Sequence, residues 1–242
     1  MSFVVQFFMS IAENLARVRE RIDAAARRAG RQSEDIVLMA VSKTFSADSI
    51  WEAYDAGLRL FGENRVQEFA AKIESLRDLR DAEWHLIGHL QTNKAAKVVE
   101  LFTAVDSVDS LRLAQKLNAS AQQLGKKLQV LIEINVGGEA AKSGVAPDSR
   151  ELEELLLAAP ELEQLEFRGL MTVPPFTKDT EEARPYFRKL REVRDQIVSR
   201  RLAQMSVNEL SMGMSHDFEV AIEEGSTCVR VGTAIFGERT SK

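Results

Sequence analysis

Apolar and polar residues follow one another along the chain in a repeating order that predicts strands alternating with helices. A short apolar run is followed by a polar or glycine-containing turn, and then by a stretch with apolar residues three or four positions apart. The predicted strands cover residues 36–41, 58–61, 84–87, 103–105, 130–135, 166–171, 209–211 and 228–231. The predicted helices cover residues 49–56, 66–76, 111–124, 151–157, 182–201 and 218–224.

A further amphipathic helix precedes the first strand, with Leu15, Val18, Ile22 and Ala25 on one face. Residues 1–8 are interpreted as an extension, and residues 9–242 as a single domain, because no linker, repeat or low-complexity tract divides them. Eight strands alternating with helices favour one closed (β/α)8 TIM barrel, an α/β fold. An open doubly wound sheet is disfavoured, since no glycine-rich dinucleotide motif follows the first strand.

Composition and charge narrow the class of protein. The 242 residues are 45% hydrophobic and 29% charged, as in ordinary globular proteins. With 32 basic and 37 acidic residues the net charge is −5, which disfavours nucleic-acid or membrane partners. The single cysteine, Cys228, excludes an intramolecular disulfide and fits a reducing cytosol. The apolar run 3–8 is far shorter than a membrane span and lacks the basic region and cleavage site of a signal peptide, so a cytoplasmic protein is predicted.

The ends of the first and eighth strands carry candidate chemistry, because active sites of such barrels form at the carboxyl ends of the strands. The first strand runs into Lys43, which is predicted to emerge at the barrel mouth. A lysine partly removed from water suits Schiff-base chemistry, although most lysines only solvate the surface. Arg230 is predicted to point into the barrel, because Val229 and Val231 face the helices, and a buried guanidinium needs partners.

The segments after the seventh and eighth strands predict an anion site, since barrels commonly bind phosphate there. The sequence LSMGMS at residues 210–215 supplies hydroxyls, a glycine and backbone N–H groups ahead of a helix. Gly232 lets the backbone approach a ligand, and Thr233 adds an N–H group and a hydroxyl. Ordinary helix capping by Ser215 or Asp217 is the alternative interpretation.

Other polar residues near strand ends leave their roles open. Asn64 either contacts a ligand hydroxyl or caps the following helix. His85 and His89 lack acidic residues at metal-ligand spacing, so hydrogen-bonding or core roles are predicted for both. Glu133 and Asn135 alternate onto one face of the fifth strand, and inside a barrel they would need partners.

Six motifs together resemble those of the pyridoxal phosphate homeostasis proteins. They are AVSKT at 40–44, FGENRVQE at 61–68, HLIGHLQTNK at 85–94, RGLM at 168–171, LSMGMS at 210–215 and VRVGT at 229–233. The resemblance extends over about residues 9–237 in the expected order. Each motif alone is weak, but the combination is specific. Residues 1–8 have no counterpart in it.

The resemblance implies a fold-type III pyridoxal 5′-phosphate (PLP) protein, with a barrel like the N-terminal domain of alanine racemase. It implies that PLP is held as a covalent aldimine on Lys43. Arg230 would then be the partner of the pyridine nitrogen, and Asn64 would contact the ring. The phosphate would be held in the loops that contain Ser211, Met212, Ser215, Gly232 and Thr233.

The resemblance also implies a function, a carrier that holds PLP without robust turnover and supports its supply to other proteins. We expect a monomer whose partners are PLP and PLP-requiring apo-enzymes. An amino-acid racemase is the alternative, and an arginine beside the pyridine nitrogen does not exclude it. A sugar-phosphate enzyme on the same fold would leave the combination of Lys43 and Arg230 unexplained.

Racemisation requires two positioned acid/base groups on opposite faces of the cofactor. The two tyrosines, Tyr54 and Tyr186, fall in predicted helices and are poor candidates for the second group. The resemblance to alanine racemase places that tyrosine in a second domain, and few residues follow Gly237. The carrier is therefore the preferred interpretation.

Overall fold

Eight strands pair in sequence order and close into a parallel barrel, with β8 paired to β1. The computed structural model describes residues 9–139, 142–202 and 205–238, so the predicted extension at residues 1–8 lies outside the described residues. The predicted (β/α)8 TIM barrel is confirmed. The strands are β1 (Val37–Val41), β2 (Leu60–Glu63), β3 (Glu83–Leu86), β4 (Ala104–Val108), β5 (Leu128–Glu133), β6 (Leu165–Met171), β7 (Glu209–Met214) and β8 (Cys228–Val231).

Helices surround the barrel. They are α1 (Ile11–Arg28), α2 (Ala47–Asp55), α3 (Val66–Lys72), α4 (Ala95–Leu101), α5 (Leu111–Gln123), α6 (Arg150–Ala158), α7 (Arg184–Ser199), α8 (Phe218–Glu223) and α9 (Thr233–Phe236). The prediction did not include the short helices α4 and α9. No helix in the described part of the chain is long and apolar enough to cross a bilayer.

The N-terminal helix α1 begins with a capping box. The Ser10 hydroxyl accepts a hydrogen bond from the Glu13 N–H at 3.2 Å, and the Glu13 carboxylate accepts one from the Ser10 N–H at 2.8 Å. The predicted apolar face, with Leu15, Val18 and Ile22, is buried in the core. Because α1 packs against α8 and α9, the extra helix belongs to the same layer as the last helices of the barrel.

Aromatic side chains fill part of the core between the barrel and its helices. The ring of Trp84 on β3 lies 5.0 Å from that of Phe61 on β2 and 4.8 Å from that of Phe69 on α3, centroid to centroid. Phe69 in turn lies 4.7 Å from Phe102. Such pairs favour association beyond their burial alone. They fix α3 against β2 and β3, and β2 is one of the two neighbours of β1 in the barrel.

The seventh strand is longer than predicted, since β7 ends at Met214 rather than at residue 211. Its pairing with β8 shifts register between Ser211 and Met214. Gly213 within this stretch has a φ of 93°, a left-handed conformation that favours glycine. This irregularity interrupts the simple alternation that predicts a strand. Ser211 and Met212 therefore lie inside the strand, and the loop after it begins at Ser215.

Candidate functional site

A cavity of about 320 Å³ lies at the carboxyl ends of the strands, a size usual for small-molecule sites. It is lined by Val41, Lys43, Asn64, Ile87, Val173, Met214, Ser215, His216, Arg230, Gly232 and Thr233. The structure thus brings six of the eight predicted site residues to one cavity and leaves Ser211 and Met212 outside its lining. A larger groove of about 500 Å³ runs between α6 and α7, but it lies on the outer helical layer.

Lys43 follows β1 and lines the cavity together with Val41, the last residue of that strand. Because side chains two residues apart along a strand share a face, both point to the same side. Thr44, the next residue, has a φ of 70°, which is uncommon for a residue other than glycine. The chain therefore turns sharply directly after Lys43. The structure places this lysine at the barrel mouth, as predicted.

Arg230 on β8 is buried in the barrel with 3% of its surface exposed, and its guanidinium is held by main-chain and side-chain oxygens. Its Nη1 donates to the Ser211 carbonyl oxygen at 2.6 Å and to Ser211 Oγ at 2.8 Å. Its Nη2 donates to the Thr172 carbonyl oxygen at 2.7 Å. Burial lowers the pKa of the Arg230 guanidinium, yet an arginine stays charged in proteins. These bonds supply the predicted partners and fix the orientation of the side chain.

Ser211 and Met212 lie below the cavity rather than in its wall. Both side chains are fully buried within β7, and Met212 packs in the hydrophobic core. The family resemblance implies a phosphate contact for both, and that contact stays a prediction, although β7 continues past them to Met214. Ser211 acts on the cavity through its two hydrogen bonds with Arg230.

Ser215 joins the loop after β7 to the turn after β8. Its Oγ accepts hydrogen bonds from the N–H groups of Gly232 at 3.1 Å and Ala234 at 3.4 Å. Asp217, the residue before α8, accepts from the Met214 N–H at 2.7 Å and makes no side-chain cap to that helix. The capping interpretation is therefore wrong for Asp217. Ser215 therefore ties the loop after β7 to the turn after β8 at the cavity wall.

Asn64 lines the cavity and does not cap α3, because the residue at the cap position is Arg65. It approaches the end of β3 closely at Gly88. A Cβ atom at Gly88 would lie 2.6 Å from Asn64 Oδ1, so only a residue without a side chain leaves room there. Of the two roles predicted for Asn64, the structure supports the one that faces a ligand.

His85 and His89 each lie beside an aspartate. His85 Nδ1 lies 3.0 Å from Asp106 Oδ1 inside the barrel, and His89 Nδ1 lies 3.2 Å from Asp109 Oδ2 near the surface. His85 is buried and hydrogen-bonded, as predicted, whereas His89 pairs with Asp109 in an exposed position. In the described ranges no group of three or more His, Cys, Asp or Glu side chains is placed to hold a metal ion.

Comparison with known proteins decides the family. The sequence profile described as "Alanine racemase, N-terminal domain" matches residues 14–240. The chain is 49% identical over 231 residues to the pyridoxal phosphate homeostasis protein of Aquifex aeolicus, covering 96% of this chain and 99% of that protein. It is 46% identical to that of Escherichia coli strain K12 over 231 residues, with 95% and 97% covered. The chain belongs to the pyridoxal phosphate homeostasis protein family.

Solved structures agree with membership of this family. PipY of Synechococcus elongatus, in a structure with PLP bound, is 39% identical with a TM-score of 0.82, over 94% of this chain and all (100%) of that one. An alanine racemase of Clostridium difficile 630 is 18% identical with a TM-score of 0.71, covering 95% of this chain and 58% of the racemase chain. The second likeness shows the shared barrel fold alone. The family resemblance drawn from the sequence motifs is confirmed.

His216 is a cavity residue that the sequence analysis did not single out. It lines the cavity directly after Ser215. The ring of Phe176, which is 79% exposed, lies 5.5 Å from the His216 ring between centroids. Its position is the only sequence feature that could have indicated this role, because His216 falls in the loop predicted to follow the seventh strand.

Glu133, the last residue of β5, is buried with 8% of its surface exposed. Burial, reinforced by the charge of Asp109, raises the pKa of the Glu133 carboxyl to about 7, while Arg230 opposes the shift. Its Oε2 has no hydrogen-bond partner within the described residues. Asn135 lies beyond the strand, and its Nδ2 donates to the Glu139 carbonyl oxygen at 2.9 Å. Of this pair, Glu133 is the buried residue and Asn135 braces a loop.

The raised pKa of Glu133 predicts a pH-dependent stability. A carboxyl titrating at 4.5 when unfolded and about 7 when folded makes the protein less stable as pH rises between these values. The free energy of unfolding of Glu133→Gln, relative to that of the native protein, is therefore expected to be about 1 to 3 kcal/mol higher at pH 8 than at pH 4. Urea unfolding without added ligand measures this gain. The exposed Glu139 provides the control Glu139→Gln, and a gain of the same size there would contradict the assignment.

Proposed function

We propose that this protein binds PLP in the cavity at the carboxyl ends of the strands and holds it covalently through Lys43 for supply to other proteins. The observation that carries the proposal is the meeting of three groups in one cavity. These are the Lys43 side chain, the buried Arg230 guanidinium and the turn whose N–H groups converge on Ser215 Oγ. The naming of the curated relatives and the PLP bound in PipY support the choice of ligand.

The donor set of the cavity fits the three functional parts of PLP. A primary amine such as that of Lys43 reacts with an aldehyde, and backbone N–H groups with hydroxyls bind a phosphate through charge-assisted hydrogen bonds. Arg230, fixed by Ser211 and Thr172, offers a charged donor to a ring nitrogen. A sugar phosphate would need the anion site, but it would leave the amine of Lys43 and the guanidinium of Arg230 without a role.

Six of the cavity residues have a role in this proposal. Lys43 forms the covalent link, Arg230 faces the pyridine nitrogen, and Asn64 contacts the ring. Ser215, Gly232 and Thr233 hold the phosphate. When bound, PLP supplies an amine-reactive aldehyde and an electron-accepting ring. A guanidinium beside the pyridine nitrogen disfavours protonation of that nitrogen by like-charge repulsion, which weakens the ring as an electron acceptor.

A carrier without robust turnover is favoured over a racemase. Among the described residues that line the cavity there is no tyrosine. The Tyr54 hydroxyl donates to Asp81, and Tyr186 lies in α7, so neither reaches the cavity. Besides Lys43 and Arg230, the described residues of the cavity lining include one other titratable residue, His216. Because a histidine can transfer protons, the carrier proposal needs a racemase assay. We propose that the carrier is a cytoplasmic monomer whose partners are PLP and PLP-requiring apo-enzymes.

The test of the function is spectroscopic. Adding PLP to the purified protein is expected to give a visible absorption band and a bound ligand that elutes with the protein on gel filtration. Incubating the loaded protein with L-alanine is expected to give no D-alanine, measured by chiral chromatography. Failure to retain PLP would refute the binding proposal. Robust racemisation that disappears in Lys43→Ala would refute the carrier and establish the racemase.

A further inference from the structure

A buried ion pair lies behind the segment that carries Lys43. Glu63, the last residue of β2, is fully buried, and its Oε1 lies 2.7 Å from Lys72 Nζ. The same oxygen accepts a hydrogen bond from the Ser42 hydroxyl at 2.5 Å. Lys72 is the last residue of α3, and its side chain is 14% exposed. One carboxylate thus joins β2, the end of α3 and the residue directly before Lys43.

Lys72 also holds the main chain on both sides of Lys43. Its Nζ donates to the Ser42 carbonyl oxygen at 3.0 Å and to the Phe45 carbonyl oxygen at 3.4 Å. Between these carbonyls lies Thr44, with its left-handed φ of 70°. Such a conformation is unfavourable for a residue with a Cβ and persists only where the surroundings impose it. The ammonium of Lys72 is therefore placed to hold the four-residue segment 42–45 in this shape.

The ion pair lies on the side of the sheet that faces the helices. At Gly62 a Cβ atom would meet Met39 Sδ at 2.8 Å and Ile87 Cδ1 at 3.1 Å. Because Ile87 lines the cavity and neighbouring strand residues point to opposite faces, Glu63 points away from it. Neither Glu63 nor Lys72 lines the cavity. The hydrogen bonds of the pair connect it directly to the segment 42–45.

A buried ion pair adds little net stability to a protein core. Desolvation of both charges offsets much of their attraction, and apolar residues of similar size are often as stabilising. Here Glu63 Oε2 has no hydrogen-bond partner in the part of the chain that the structure describes, which adds to that cost. The pair forms directional hydrogen bonds with the Ser42 hydroxyl and with the carbonyl oxygens of Ser42 and Phe45, which apolar side chains could not form.

We propose that Glu63 and Lys72 are positioning residues that hold the segment 42–45 so that the Lys43 amine is presented to the cavity. This inference rests on the proposed function, because it assigns Lys43 the covalent link. A purely structural role would lower stability and leave the chemistry at Lys43 unchanged. A positioning role slows the covalent reaction and spares binding by Arg230 and the turn at residues 232–234, which lie on other elements.

The test compares Lys72→Met with Lys126→Met. Lys126 is a matched control, because its Nζ also donates to two backbone carbonyls, those of Val99 at 3.3 Å and Glu100 at 3.2 Å. It precedes β5 and so lies at the opposite end of the barrel. PLP is mixed with each variant, borohydride stops the reaction at timed intervals, and mass spectrometry quantifies the label on Lys43. Titration with pyridoxine 5′-phosphate, which has no aldehyde, measures the rest of the site.

Lys72→Met is expected to attach PLP about tenfold to a hundredfold more slowly than Lys126→Met, since a small misplacement of a reacting group has effects of that size. Its affinity for pyridoxine 5′-phosphate is expected to match that of the control. Without any ligand, the backbone amides of residues 42–46 are expected to exchange hydrogen faster in Lys72→Met. This last measurement is independent of PLP, so it tests the hold on the segment even if the proposed function fails.

Attachment as fast in Lys72→Met as in Lys126→Met would overturn the inference, as would unchanged amide exchange. A parallel loss of pyridoxine 5′-phosphate affinity would overturn it too, because the whole site would then be disturbed. If Lys72→Met does not fold, the double variant Glu63→Gln with Lys72→Met removes both charges and takes its place. Failure of both to fold, judged by circular dichroism, would assign the pair to folding and reject the positioning role.

Discussion

Replacing Lys43 with alanine is expected to abolish covalent attachment of PLP and the visible band that accompanies it. No other primary amine lines the cavity among the described residues, so the aldehyde would have no partner there. Reduction of the loaded native protein with borohydride should attach the cofactor to the peptide that contains Lys43. The same treatment of Lys43→Ala should leave the peptides unlabelled. Absorption spectra and peptide mapping by mass spectrometry measure both effects.

A suitable control for this loss is Lys97→Ala. Lys97 is a half-exposed lysine on α4 whose Nζ lies 3.0 Å from Glu100 Oε2, and it does not line the cavity. It should keep the native band and the native label. Lys43→Ala should still bind PLP weakly, because Arg230 and the turn at residues 232–234 remain in place. A label on any other lysine of the native protein would show that Lys43 is not the site of attachment.

The barrel could be predicted because its determinants are local. Each strand is a short apolar run and each long helix carries an apolar stripe, as the buried Leu15, Val18 and Ile22 of α1 illustrate. Parallel strands joined by helices place their carboxyl ends at one edge, so Lys43 and Arg230 were expected to meet there. Both line the same cavity. The position of a residue at a strand end therefore carried most of the functional information.

What could not be predicted depends on departures from regular pairing. β7 contains a register shift between Ser211 and Met214 and extends to Met214, and the alternation of apolar and polar residues does not predict this. For that reason the predicted strand stopped at residue 211, three residues short of its end in the structure. In the structure Ser211 is a hydrogen-bond partner of Arg230, a contact that the strand pattern did not reveal.

The ion pair behind Lys43 was hidden for another reason. Lys72 ends a helix and Glu63 ends a strand, and both are common places for solvated charges. Their burial depends on how α3 packs over β2, which the spacing of residues does not reveal. His216 was missed in the same way, because a histidine in a loop has no periodicity that indicates where it points.

The second large effect is expected at Gly232. A Cβ atom there would lie 3.3 Å from the Val41 carbonyl oxygen and 3.5 Å from Val41 Cβ, so there is little room on the side of β1. The branched side chain of Gly232→Val would crowd β1 and shift the turn whose N–H group donates to Ser215 Oγ. Gly232→Ala adds the Cβ atom without the two Cγ methyl groups of valine, so it should show a smaller effect and serves as the graded control.

The expected loss follows from the hydrogen bonds of a phosphate. Each charge-assisted bond contributes about 1.5 to 3 kcal/mol, so losing two weakens PLP binding by about a hundredfold or more. Pyridoxal lacks the phosphate, and its weaker binding should change little in Gly232→Val. Titration of native protein and variant with both ligands measures the difference. Equal affinity of the native protein for PLP and pyridoxal would show that Ser215, Gly232 and Thr233 do not hold a phosphate, because those donors would then contribute nothing to the discrimination.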